Sequence, residues 1–203
     1  MERLNQFNRL LTTIISVLIS CVPVMTQADD SHWSRRGKLE IFGIFQPISG
    51  DKTTTDQGVE VEFKGTNTFG VGVGYSIIDL INLNGTILWG NSDLTTDASD
   101  SDFQRSGDSD LYFMDFNVDV NFMKRRFTPV LSAGIGRASF IGYALGADLE
   151  ESNLSWNFGG GIRWDPLDHL LIKALYRATW TELENSEDGL LFSGLALSVG
   201  YIF

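Results

Sequence analysis

Between Ser109 and Met123 every second side chain is large and apolar. Tyr112, Met114, Phe116, Val118, Val120 and Phe122 share one face, and Asp115, Asn117, Asp119 and Asn121 share the other. A period of two is the signature of a β-strand with two different surroundings. One strand cannot say which face is buried, so the others must. In Val59–Ile77, Phe69, Val71, Val73 and Tyr75 oppose Thr68, Gly70, Gly72 and Gly74. In Ser152–Asp165, Leu154, Trp156, Phe158, Ile162 and Trp164 oppose Ser155, Asn157, Gly159, Gly161 and Arg163. In Leu170–Leu183, Ile172, Ala174, Tyr176 and Trp180 oppose Lys173, Arg177 and Thr179. Bulk sits on the apolar face, and glycine or charge on the polar one. A narrow lumen wants small side chains and a few paired charges, whereas lipid wants large apolar ones.

Four further segments complete the set: Lys38–Ser49, Ile81–Asn91, Phe127–Phe140 and Leu190–Phe203. Their linkers alternate in length. Ile78–Leu80, Lys124–Arg126 and Pro166–His169 are short, while Gly50–Gly58, Ser92–Asp108, Ile141–Glu151 and Glu184–Gly189 are mostly longer. Short turns on one side and longer loops on the other are the pattern of a transmembrane barrel. Trp89, Trp156, Trp164, Trp180, Tyr112 and Tyr201 lie near segment ends, where interfacial girdles belong. A slip of one residue would move Lys173 or Arg177 into lipid at about 2–4 kcal/mol each, so the register is well determined. The predicted fold is all-β: an eight-stranded antiparallel up-and-down transmembrane β-barrel with both termini on the periplasmic side.

The N-terminus reads as an export signal. Arg3 and Arg9 precede an apolar run from Leu10 to Ser20, and Thr26-Gln27-Ala28 supplies small-residue cleavage chemistry. The run is too short to be read as a spanning helix. We therefore divide the chain into a signal peptide, 1–28, and a single barrel domain, 29–203. Leu18-Ile-Ser-Cys21 also resembles a lipoprotein lipobox; we read Cys21, the one cysteine in the sequence, as a thiol within the signal peptide. The whole chain has net charge −11, and removing Arg3, Arg9 and Glu2 leaves 13 basic against 25 acidic residues. Such a surface is not suited to nucleic acid.

The closing segment, Leu195–Phe203, resembles the C-terminal insertion signal of bacterial outer-membrane barrels, with Leu197, Val199, Tyr201 and Phe203 on its apolar face. Thr128-Pro129-Val-Leu-Ser-Ala133-Gly-Ile-Gly136, Asn157-Phe-Gly-Gly-Gly-Ile162 and Ala174-Leu-Tyr-Arg177 resemble three strands of the small OmpA/OmpX-type barrels. The resemblance spans nearly all of 29–203 and rests on pattern. It implies outer-membrane lipid and lipopolysaccharide as surroundings, and the barrel-assembly machinery as a partner of the C-terminal strand. Nothing after Phe203 corresponds to the periplasmic domain of full-length OmpA, so cell-wall anchoring is not expected.

By parity, Glu40, Asp115, Asp119, Arg163, Lys173 and Arg177 point into the lumen. Isolated charges there are very costly, so we expect an ion-pair network that plugs the barrel, with an ion pathway or gate as the alternative. Eight strands leave an interior barely wide enough for side chains, which argues against a general porin. Barrels of the lipid A palmitoyltransferase and deacylase types use a His with a Ser near the outer leaflet. Here His32 precedes the first strand and His169 lies in a short turn, so no enzyme is expected; no catalytic, metal or cofactor residue is assigned. Asp93, Asp97, Asp100, Asp102, Asp108 and Asp110 lack the glycine and terminal Glu of an ordered calcium loop and read as a solvated acidic loop. Two other functions remain open. Phe42, Ile44, Leu175 and Phe192 face inward and offer an OmpW-like route for small hydrophobic molecules. The outer loops, and a first hairpin extended by Val59, Val61 and Phe63, offer an adhesin or receptor surface.

Overall fold

The computed structural model describes residues 33–49, 52–54, 60–63, 65–97, 104–144, 147–181 and 189–203. Residues 1–28, expected to be a signal peptide, with Cys21, and His32 lie outside them, as do the side chains of Val59, Val61 and Phe63. Eight strands form the wall: β1 (Leu39–Ile48), β4 (Thr66–Ile78), β5 (Ile81–Asp97), β6 (Gln104–Asn121), β7 (Phe127–Ala144), β8 (Ala147–Leu167), β9 (Leu170–Thr181) and β10 (Leu190–Ile202). Two short pieces, β2 (Lys52–Thr54) and β3 (Glu60–Phe63), extend the first hairpin. Each wall strand pairs antiparallel with its neighbours, and β1 pairs with β10 to close the ring.

Closure fixes the dimensions. Stepping from partner to partner, Leu39 leads through Tyr75, Leu83, Val118, Ala133, Phe158, Ala178 and Ser193 to Ser49, ten residues above the start on β1. A shear of ten over eight strands corresponds to a strand tilt of about 40° and a backbone radius of about 8 Å. Such a bore is filled by its own side chains. Phe42 shows how tightly: a Cβ at Gly72 or Gly200, on the strands either side, would fall inside its side chain.

Burial alternates along each strand as the sequence predicts. On β1, Glu40, Phe42, Ile44, Gln46 and Ile48 are buried while the residues between them are exposed. The outer face is apolar, with Phe69, Val71, Val73, Phe116, Phe158, Leu197 and Val199 exposed. Trp156 and Trp164 on β8 sit eight residues apart, about 26 Å along the strand and about 20 Å along the barrel axis at this tilt, close to the apolar band of outer-membrane barrels. Trp89, Tyr112 and Trp180 fall near the first level, and Tyr75, Phe122 and Tyr201 near the second.

Three boundaries differ from the sequence reading. Val59–Ile77 is two strands: Phe63 pairs with Leu94 and Thr68 with Gly90, so this side carries one residue more than β5 does. Such an extra residue is a bulge, invisible to a period-of-two pattern. The acidic segment Ser92–Asp108 is mostly strand, since β5 and β6 stay paired to Asp97–Gln104. Ile141–Glu151 likewise lies largely within β7 and β8, paired as far as Ala144–Ala147. Backbone ladders continue wherever two strands already run side by side, whatever the polarity of their side chains.

Candidate functional site

The inward faces of β1, β6, β8 and β9 bring all six expected lumen charges together. Arg163 Nη2 donates to Glu40 Oε1 at 2.7 Å, Lys173 Nζ to Asp119 Oδ2 at 3.1 Å, and Arg177 Nη2 to Asp115 Oδ2 at 2.5 Å. All are buried. The two pairs above Glu40–Arg163, Asp119–Lys173 and Asp115–Arg177, form a ladder between the same two strands, which face each other across the bore. Glycines on β7 make room for it. A Cβ at Gly136 would collide with the Asp115 carboxylate, and one at Gly134 with the Asn117 amide.

Neutral groups fill the gaps between charges. Ser132 Oγ donates to Asp119 Oδ1 at 2.7 Å, and Ser76 Oγ to Glu40 Oε1 at 3.3 Å. Asn117 donates to Asn84 at 3.3 Å, and Asn82 to Ser76 at 3.1 Å. Lys173 Nζ also stands 4.3 Å from the centroid of the Phe42 ring, a cation–π contact that shares its charge with an aromatic face.

Two buried charges escaped the sequence reading. Asp165 accepts from Arg163 Nε at 3.0 Å and from Arg35 Nε at 2.6 Å. Asp165 has the same parity as Arg163, so extending the alternation by one step would have found it. Arg35 precedes the first strand and carries no periodic signal. With these two, the lumen holds four carboxylates and four cations among the described residues.

Above the charges, towards the long hairpins, the filling turns apolar. Leu88, Leu111, Phe113, Ala138, Phe140, Leu190 and Phe192 belong to one buried cluster with Phe42, Ile44 and Ile48. Phe192 packs edge-on against Phe113 at 5.7 Å between centroids and tilted against Phe140 at 6.0 Å. Phe42, Ile44, Leu175 and Phe192, whose inward parity suggests a hydrophobic route, are all buried.

The outer-membrane protein beta-barrel domain model matches residues 12–203. The chain belongs to this family. No curated protein matches the sequence. Among solved structures, Neisserial surface protein A aligns with 15% identity over 83% of this chain and 100% of its own, at a TM-score of 0.58. OprG from Pseudomonas aeruginosa aligns with 11% identity over 83% of this chain and 97% of its own, at 0.59. The N-terminal barrel domain of OprF from the same organism aligns with 14% identity over 83% and 98%, at 0.54. At such identities the shared property is the fold.

Within that family fold, the remaining candidates take clear positions. Leu197, Val199, Tyr201 and Phe203 all point outward and are exposed on β10 and the residue following it. Tyr201 stacks edge-on with Phe203 at 4.8 Å and lies 5.5 Å from the His169 ring. His169 is exposed in the β8–β9 turn. Asp79, in the β4–β5 turn, accepts from Ser34 Oγ at 2.7 Å and from the backbone N–H groups of Arg35 and Arg36 at 2.9 and 3.2 Å. Partial burial pushes its pKa up, but those hydrogen bonds and nearby Lys124 outweigh it, leaving the carboxyl below its ordinary range.

Proposed function

We propose that this chain is a non-enzymatic outer-membrane barrel with a structural or surface-contact role, its lumen plugged by paired charges. The observation that carries this reading is the set of buried charges, four cations with four carboxylates among the described residues, below a buried apolar cluster. A conducting lumen needs a continuous wet path. Here an ion would have to displace paired charges and then cross packed phenylalanines. Both termini then face the periplasm, the long hairpins face outward among lipopolysaccharide, and Leu197, Val199, Tyr201 and Phe203 present the insertion signal to the barrel-assembly machinery.

The test is ionic conductance of the refolded 29–203 protein in a planar bilayer, with heat-modifiable gel mobility reporting the folded barrel. Silent membranes are expected. Stable, reproducible channels would overturn the plug and make the lumen charges a pore lining.

A second reading, a lateral route for small hydrophobic molecules, draws on the upper wall. Among the described residues the β8–β9 ladder reaches Ser155–Thr181, and the β7–β8 ladder reaches Ala144–Ala147. The apolar end of the lumen lies at that level. A third, adhesion or reception, draws on the β5–β6 ladder, which runs eight residues beyond Trp89 to Asp97.

A further inference from the structure

We propose that the segment Trp33–Lys38 is a stopper that seals the short-turn mouth of the lumen. This rests on the sealed-lumen reading and adds to it a separate closure at one end, made by residues outside the wall. A segment preceding a first strand ordinarily frays unless it is tied down. This one is tied to all three short turns.

Its path is set by a tight turn. Lys38 N–H donates to Arg35 O at 3.0 Å, and Gly37 takes the left-handed φ of 77° that the third position of a type II turn requires. Gly37 N–H then donates to Ser76 O at 2.7 Å, fixing the turn against β4. Asp79 holds Ser34, Arg35 and Arg36 from the β4–β5 turn. The reversal sends the Arg35 side chain up into the bore, where it is 1% exposed. Its guanidinium donates to Asp165, to Met123 O at 3.4 Å and to Arg125 O. Beneath it Trp33 lies between two cations, Lys38 Nζ at 4.1 Å and the Arg126 guanidinium at 4.5 Å from its ring centroid. Arg126 in turn pairs with Asp168 of the β8–β9 turn at 2.6 Å.

Charge balance argues that the fit is built in. Among the described residues the wall strands bury four carboxylates, Glu40, Asp115, Asp119 and Asp165, but only three cations, Arg163, Lys173 and Arg177. Arg35 supplies the fourth, directly below the Glu40–Arg163–Asp165 layer. The barrel interior is therefore electrically complete only when this segment is seated.

Solvent access at the mouth tests the stopper. In the refolded 29–203 protein, which holds no cysteine, Asn82→Cys places a thiol in the lowest lumen layer, where Asn82 is fully buried, and Leu111→Cys places one in the apolar cap. Each refolded protein is treated in micelles with a small charged methanethiosulfonate reagent. With the segment intact, both thiols should react slowly. Arg35→Gln, which leaves Asp165 paired with Arg163, should speed modification at position 82 by about tenfold or more through local opening and leave position 111 unchanged. Asp79→Asn loosens the segment from outside the bore and should act in the same direction; it carries the test if Arg35→Gln does not fold. Equal rates at position 82 with intact and loosened segments, in barrels that keep their heat-modifiable mobility, would overturn the stopper. Conductance of the unsubstituted protein would overturn the sealed lumen instead, so the two failures are distinguishable.

Discussion

Arg177 on β9 reaches Asp115 on β6 across the bore, past the two strands β7 and β8, with Nη2 and Oδ2 2.5 Å apart. Four residues lower on the same strands, Lys173 meets Asp119. The two pairs act as cross-braces between opposite walls of the barrel.

Breaking one brace should be costly. Arg177→Ala leaves the Asp115 carboxylate buried without its cation, a loss of about 3–5 kcal/mol for a pair of this kind. Denaturant unfolding in lipid vesicles would measure it. Converting both partners together, Asp115→Asn with Arg177→Gln, should restore most of the loss, because no uncompensated charge remains. Neither variant should conduct if the apolar cap seals independently; altered ion selectivity would instead favour a pore.

The lipid-facing surface makes a contrasting prediction. Val71 is half exposed on β4, roughly midway between the two aromatic levels. Val71→Arg should cost about 2–4 kcal/mol in vesicles, as a charge at the bilayer midplane does. In detergent micelles, where the head can reach water more easily, the penalty should shrink. Equal penalties in both media would place Val71 away from the membrane centre.

Phe203 separates recognition from stability. Its side chain is 63% exposed and packs edge-on against Tyr201. Phe203→Ala should therefore refold in micelles with nearly unchanged stability. In cells, the amount of assembled barrel should fall several-fold if this residue belongs to an insertion signal. Unchanged assembly in cells would remove that role.

Acid should loosen the N-terminal turn. Because the folded-state pKa of Asp79 lies below its unfolded value, its stabilising contribution is present above the unfolded pKa. That contribution is lost as pH falls through the folded one. Hydrogen exchange of the Arg35 and Arg36 amides, corrected for intrinsic rates, should show protection that disappears in this acidic window. In Asp79→Asn the protection should already be weak at neutral pH. Protection that persists in this variant would show that the turn is held by other contacts.

The wall was legible because lipid and lumen impose opposite chemistry on alternate residues, so each strand states its own orientation. Glu40, Asp115, Asp119, Arg163, Lys173 and Arg177 could be assigned by parity alone for that reason. Which carboxylate pairs with which cation was not legible, since it depends on shear and on contacts across the bore. Arg35 was missed because a single turn has no period. The hairpins above the upper aromatic level look like loops in the sequence because side chains on a solvated ladder need not alternate. The extra residue between Phe63 and Thr68 has no compositional mark at all.

The offset of ten positions between Leu39 and Ser49 gives the Glu40–Arg163 pair another meaning. These residues sit on the first strand and on the third strand from the chain's end, so their bond reaches over the seam where β1 meets β10. If the last strand docked two residues out of step, parity would be preserved and every apolar face would still meet lipid. The hydrophobic pattern alone would not reject that error. The slip would, however, displace Glu40 from Arg163 by about 7 Å, beyond the reach of an ion pair. Among ways of closing the cylinder that lipid finds equally acceptable, the buried charges accept one circumference.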